Sequence, residues 1–391
     1  MIQLNHLIDS KRKRVRENIK KWVWQHENYP NFPYQKEKLS QIISKIEYNR
    51  GLLDGIAKLF IENDIKKIEI DTLVEEAINT SEIEGEYFHR DSVRSSVRKK
   101  LDESFTFDED SSTHKSDALV AILIDCNINR EPLDLVRLHG WHNALFVGGY
   151  DVLTPINVAS FREVDQMEVV SGAIGHEKVH YLAVPQKQIE EDVLALLKWC
   201  NSSKENIYIK SALAHLWFVA IHPYDDGNGR IARAITDYLL SDISKNSFKL
   251  YSISTAINSD RKGYYDVLDR TTNLFKNREY DFTPWLEWHL ETLNRAMEMA
   301  IEKINSVIKK TKFWDRCRDK QLNSRQVKVL TKIFNNGAEN FLGGINTKKY
   351  MAIAKTSRAS AVRDLNQLLE YNCIRQIENT AGRNVRYELF L

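Results

Sequence analysis

A histidine, two carboxylates, two glycines and two arginines fall together in His222-Pro223-Tyr224-Asp225-Asp226-Gly227-Asn228-Gly229-Arg230-Ile231-Ala232-Arg233. Each type brings a distinct capability. An imidazole at hydrogen-bond distance can take the proton of a hydroxyl nucleophile, a step worth roughly 10²–10⁴-fold. Asp226 offers a hard oxygen ligand of the kind Mg²⁺ takes. Gly227 and Gly229 permit positive φ and close backbone approach. The amides of Gly227, Asn228 and Gly229 lead into a helix, where N–H groups and dipole together bind anions. Arg230 and Arg233 stand about one helical turn apart and so share a face. A base, a metal carboxylate, an anion nest and two arginines describe phosphoryl or nucleotidyl transfer.

Two helices must hold this turn. Ala212, Leu213, Leu216, Trp217, Ala220 and Ile221 form an apolar stripe before it, and Ile231, Ala234, Ile235, Tyr238 and Leu239 form another after it. Pro223 disfavours helix for His222 and ends the first run. Alone, a His-Pro or a Gly-Asn-Gly is an ordinary turn; packing does not explain all of them between two buried helices.

Helical patterns recur over 35–59, 71–84, 91–101, 115–126, 132–146, 187–200, 206–221, 230–242, 261–276 and 283–310. In 71–84, Leu73, Val74, Ala77, Ile78 and Ser81 share a face, with Asp71 as the predicted N-cap and Gly85 as the stop. Met167 to Pro185 reads as a small hairpin, Val169-Val170 and Val179-His180-Tyr181-Leu182 flanking Ser171 to Gly175. Trp22, Trp24, Pro30, Phe32, Pro33 and Tyr34 predict an irregular segment pinned onto a folded body. Residues 321–391 predict three helices, near Ser324–Phe334, Thr347–Ala354 and Thr356 to Tyr371, then strands Ile374–Ile377 and Val385–Leu389 around Ala381-Gly382-Arg383. That is the winged helix-turn-helix pattern.

The 15 Gly and 7 Pro are few for 391 residues, which favours a mainly helical chain and excludes collagen-like and linker-rich ones. The net charge of +2 implies no polyanion coat over the whole surface. The charge is uneven, however: residues 321–391 hold 11 Lys/Arg and 5 Asp/Glu. A second basic run, Lys11-Arg12-Lys13-Arg14 with Arg16, reads as a solvated helix face. No apolar run is long enough to span a membrane, and the start lacks the pattern of a secretory signal. Cys126, Cys200, Cys317 and Cys373 are far apart in sequence, so neither a zinc site nor a disulfide framework is expected, and the cytoplasm is the expected compartment.

The twelve-residue stretch closely resembles the Fic domain signature, HPFx(D/E)GNGRxxR, with Tyr224 where Phe is usual. The resemblance implies a mainly α fold: a Fic helical bundle with a small β-hairpin flap, here followed by the winged helix-turn-helix. It implies a nucleotidyltransferase, a protein adenylyltransferase that moves AMP from ATP to a Ser, Thr or Tyr hydroxyl of a target protein and releases pyrophosphate. His222 would be the general base, and Asp226 would hold Mg²⁺ across the α- and β-phosphates. The backbone of Gly227, Asn228 and Gly229 would cradle the phosphates, Arg230 would contact the β/γ end and Arg233 the γ-phosphate. Glu177, Lys178, Val179 and His180 of the flap would line the nucleotide and pair with target backbone. Tyr264 and Tyr265, with Leu268, fit the adenine side, with helix packing the competing reading. Arg162 resembles a structural position ahead of the flap. His139 and His142 read as packing rather than a metal pair, because no third ligand is evident.

Thr80-Ser81-Glu82-Ile83-Glu84-Gly85 fits the pattern (S/T)xxxE(G/N), which in Fic proteins marks an inhibitory helix. Glu84 at a helix C-terminus opposes the macrodipole and needs a cationic partner; the resemblance names Arg233. The aromatic N-terminal segment is similar to a small domain of one bacterial branch with N-terminal autoinhibition. The expected domains are 1–100 with the inhibitory helix at about 71–85, a Fic core over 101–312 and the winged helix over 321–391. Alternatives stay open: Glu84 positioning water for removal of AMP, another transferred group such as UMP or phosphocholine, or a DNA-binding regulator with a nucleotide-sensing core. Self-modification and a homodimer are expected partnerships, as is DNA or protein on the winged helix; a membrane is not.

Overall fold

The computed structural model describes residues 20–60, 62–102, 104–106, 108, 110–146, 149–151, 154–171, 178–241, 249–335 and 344–390. The chain divides into two units, Met1–Ile301 and Glu302–Leu391. In order, the first carries α1 (Lys36–Ala57), α2 (Glu62–Ile83), α3 (Arg90–Leu101), α4 (His114–Ile128), α5 (Leu135–Leu145), the ribbon β1 (Tyr150–Asp151) and β2 (Thr154–Pro155), and the hairpin β3 (Glu168–Ser171) and β4 (Lys178–Leu182). Then come α6 (Ile189–Ser202), α7 (Ile207–Ile221), α8 (Asn228–Ser241), α9 (Ile253–Ser259), α10 (Arg261–Thr272) and the first half of α11 (Thr283–Cys317), whose residues from Glu302 on belong to the second unit. The second unit carries α12 (Ser324–Asn335), α13 (Thr347–Ala354), α14 (Arg358–Glu370), β5 (Ile374–Gln376) and β6 (Tyr387–Leu389). The protein is mainly helical, with small two-stranded sheets, as the Fic resemblance implies.

At the centre of the first unit lies α7, apolar almost throughout and buried along nearly its whole length, packed against α8. A helix hydrophobic on every side has only a core position open to it. The N-terminal segment is pinned as expected: Trp22 meets Tyr181 edge-on at 5.4 Å, Phe32 packs against Trp217 and Phe282, and the Trp24 indole donates to the Leu182 carbonyl at 2.8 Å. Trp285 is a core residue whose indole donates to the Ala212 carbonyl, whereas Trp288 is half-buried and donates to the Asp260 carboxylate.

Three elements differ from the periodicity. The α2 helix begins well before Asp71, which sits mid-helix and pairs with Arg94 at 2.6 Å instead of capping. Ile70, buried upstream, extends the packed face, and tertiary packing overrides a local cap signal. The helix expected over 261–276 stops at Thr272 and is preceded by α9, with Asp260 at the break accepting from the Gly263 amide. And α8 begins at Asn228, so Gly229 belongs to its first turn.

The second unit has its own core, built on Val329, Leu330, Ile345, Tyr350, Leu365, Leu368 and Tyr387 among others. Cys317 and Cys373, remote in sequence, bring their Sγ atoms to 3.3 Å as free thiols, a proximity that spacing alone does not reveal. Among the described residues no helix is long and apolar enough to cross a membrane.

Candidate active site

The turn between α7 and α8 is held from several directions. His222 ends α7 in the left-handed region, φ 52° and ψ 59°, a conformation that a non-glycine residue adopts only under external constraint. The constraint is Arg162, wholly buried, whose Nε donates to the His222 carbonyl at 2.8 Å and whose other nitrogens reach the Val164 and Val184 carbonyls. Burial, with the Arg162 charge second, lowers the His222 pKa to about 4. The imidazole is therefore neutral at pH 7.

Asn228 closes the turn with its side chain. Its Oδ1 accepts from the Tyr224 amide at 3.0 Å and its Nδ2 donates to the Tyr224 carbonyl at 2.8 Å. The Tyr224 ring is fully buried, stacked on His142 at 4.0 Å between centroids, with its hydroxyl 3.0 Å from His139 Nδ1. That hydroxyl is a polar anchor a phenylalanine would lack. His142 Nδ1 accepts from the Ala159 amide at 3.1 Å, which leaves Nε2 as the protonated nitrogen facing the Asp226 carbonyl at 3.3 Å. Burial lowers the His142 pKa to about 4. The two histidines of α5 are thus struts of the loop rather than a metal pair.

Gly227 has φ +79°, and a Cβ there would meet the Phe146 ring at 2.9 Å. At Gly229 a Cβ would lie 2.1 Å from Glu84 Oε1, so a carboxylate from the turn just after α2 rests directly on the nest at the start of α8. The same oxygen accepts from Arg233 Nη2 at 2.7 Å. Arg233 is 1% exposed and donates further to Thr80, from Nε to Oγ1 and from Nη2 to the carbonyl, each at 2.7 Å. Burial, the largest single influence, would depress its pKa, but the Glu84 charge and hydrogen bond together with Tyr264 and Tyr265 raise it on balance.

Arg230 is engaged in parallel. Its Nη1 donates to Glu86 Oε2 at 2.7 Å, and its Nη2 lies 3.4 Å from Asp226 Oδ2. Sequence reasoning missed Glu86; its signal was a second acid two residues past Glu84. The two acids are separated by Gly85 at φ +85°, which ends the helix and turns the chain between them.

A cavity of about 530 Å³ opens beside these groups, in the size range of small-molecule sites. Its lining includes Glu84, His222, Gly229, His180, Tyr264 and Tyr265. Tyr264 is buried, its hydroxyl 2.9 Å from His215 Nε2, and the Tyr265 hydroxyl donates to the Ile83 carbonyl at 3.1 Å. Val179 sits in the flap opposite Val170. Glu177 lies outside the described residues, as do the Lys178 side chain and the basic run at 11–16. Asp225 accepts from the Asn157 amide at 3.0 Å, whereas the Asp226 carboxylate remains 45% exposed beside the nest. Asp226 is the one carboxylate of this turn that could hold a divalent cation such as Mg²⁺, which is commonly bound by one or two carboxylates plus substrate phosphates.

The fold is a helical bundle with a small hairpin beside the cavity and a glycine-containing turn between two core helices. Residues 132–240 match the Fic/DOC family. Residues 22–102 match a domain of unknown function, DUF4172. Among solved structures, the chain is similar to a Fic family protein from Desulfovibrio desulfuricans G20, at TM-score 0.55 and 18% identity over 92% of this chain and 98% of that one. It is also similar to a Fic domain containing signaling protein from Bacteroides thetaiotaomicron VPI-5482, at 0.49 and 17% over 68% and 96%. Fic-1 from C. elegans gives 0.49 and 16% over 70% and 75%. The Fic domain supports nucleotidyl transfer as the general chemistry.

Proposed function

We propose that the protein transfers AMP from ATP to a hydroxyl of a target protein, and that Glu84 holds this activity in check. The observation that carries the reading is the Glu84 carboxylate seated on Gly229 and bonded to Arg233 at 2.7 Å: an anion from the chain itself fills the anion site. In the active state His222 Nδ1 or Nε2 takes the proton of the attacking hydroxyl. Its oxygen bonds to the α-phosphorus as the bond from that phosphorus to the β-phosphate oxygen breaks, and pyrophosphate leaves with the electron pair. Mg²⁺ held by Asp226 would neutralise charge on the α- and β-phosphates. The amides of Gly227 to Gly229 then receive phosphate oxygens, and Arg230 and Arg233 turn from Glu86 and Glu84 to the polyphosphate.

Glu84 lines the same cavity as His222, so a carboxylate stands where it could orient water in the reverse reaction, removal of AMP from a modified protein. One experiment serves both readings. Protein is incubated with α-labelled ATP and Mg²⁺ in a Glu84→Gly background, with and without His222→Ala. Label should enter protein only when His222 is present; equal labelling without it refutes its role as base. Release of AMP from a premodified target by the unaltered chain alone would favour the reverse reaction.

A further inference from the structure

We propose that the second unit, Glu302–Leu391, is a winged helix-turn-helix that binds duplex DNA through α14. The inference is independent of the transferase reading. The unit runs α12, the bridging residue Ile345, α13, α14, β5 and β6, with Ile345 exchanging both backbone hydrogen bonds with Tyr387 at 2.8 Å. This order gives a short third strand beside the ribbon and leaves α14 as the second helix of the helix-turn-helix. A tight turn joins α13 to α14, with Lys355 at φ +50° and the Ser357 side chain capping through the Ser360 amide.

The inner face of α14, with Ala361, Leu365 and Leu368, packs into the core. Its one buried acid, Asp364, is consumed internally by Arg325, Asn323 and the Tyr350 hydroxyl. The outer face is different. Arg358, Ala359, Val362, Arg363 and Asn366 are all exposed. At helical spacing Ala359, Val362 and Asn366 run along the middle of that arc, with Arg358 and Arg363 on its two edges. An amide can bond bidentately to adenine, and small apolar groups meet the thymine methyl. Flanking arginines suit the phosphates that position a helix in the groove.

Charge favours the same partner. Lys355, Arg358 and Arg363 make no ion pair among the described residues, and residues 321–391 hold 11 basic against 5 acidic side chains. Val307, Val327, Val362 and Phe390, the large apolar residues exposed in this unit among the described residues, are spread singly over α11, α12, α14 and the residue after β6, so no one element presents an apolar stripe to a protein.

The test uses the full chain and a labelled mixed-sequence duplex, with binding followed by fluorescence anisotropy over a series of salt concentrations. Binding at low salt should weaken steeply as salt rises. Arg358→Ala with Arg363→Ala should reduce affinity by about tenfold or more and the log–log salt slope by about two, one for each phosphate no longer neutralised. Lysine at both positions should keep the slope, which separates charge from any loss of folding. No binding at low salt would overturn the proposal and leave α14 as a protein-docking face. So would binding with an unchanged slope in the double-alanine variant, which would assign the DNA contact to Lys11 to Arg14 instead.

Discussion

Replacing Glu84 with glycine removes the carboxylate from Gly229 and leaves Arg233 in place. The arginine keeps two bonds to Thr80, so its guanidinium stays anchored to α2. The hydrogen bond removed is charge-assisted, 2.7 Å long, and made to an arginine that is 1% exposed. Hydrogen bonds to charged groups contribute about 1.5–3 kcal/mol net. At about 1.4 kcal/mol per decade, the state open to ATP should gain roughly 10- to 100-fold in population. The assay is incorporation of α-labelled nucleotide into the protein itself under single-turnover conditions, paired with thermal melts in the presence and absence of ATP. The variant should melt lower without ATP, because a buried cation has one acceptor fewer, and should gain more from ATP than the unaltered chain. Glu84→Gln, which keeps the shape and loses the charge, should fall between. Flat or reduced incorporation in Glu84→Gly, with an ATP-dependent melting shift no larger than before, would refute the reasoning.

Glu86→Ala frees Arg230 in the same way, but Glu86 is 30% exposed and its partner also has Asp226, so the increase in labelling should be smaller; labelling in the double variant should exceed that of either single one. Because the folded site holds His222 neutral down to about pH 4, labelling by Glu84→Gly should stay level on the acid side until well below pH 6; an acid limb near pH 6.5 would contradict the burial of the imidazole. The same depression bears on stability. The unfolded chain protonates His142 and His222 below about pH 6.5 while the folded chain does so only near 4. Stability measured by urea unfolding should therefore fall as pH drops through that window, by about 1.4 kcal/mol per pH unit for each histidine. His142→Phe keeps the stack on Tyr224 but drops two hydrogen bonds, so it should cost about 1–3 kcal/mol in denaturant unfolding and lower the turnover of the Glu84→Gly protein.

Much of the site was legible because its residues are neighbours in sequence. His222 to Arg233 span one turn and the start of one helix, where spacing alone says which groups share a face. The hairpin, the buried pair α7 and α8, and the pinned aromatic segment followed from period, proline and aromatic content. The start of α2 did not, because Asp71 satisfies a cap rule locally while the packing of Ile70 continues the helix past it.

From the sequence alone came the chemistry on offer: which turn carries an imidazole, a hard carboxylate and glycine amides, and that Glu84 would need a cation. Tertiary structure decided what those groups touch. It set Glu84 on Gly229, matched Glu86 to Arg230, stacked His142 under Tyr224 and turned the Asn228 side chain inward to tie its own loop. Periodicity reports on contacts within a few residues, whereas Glu84 and Arg233 meet across 149 positions, a distance only the packing of α2 onto α8 can close.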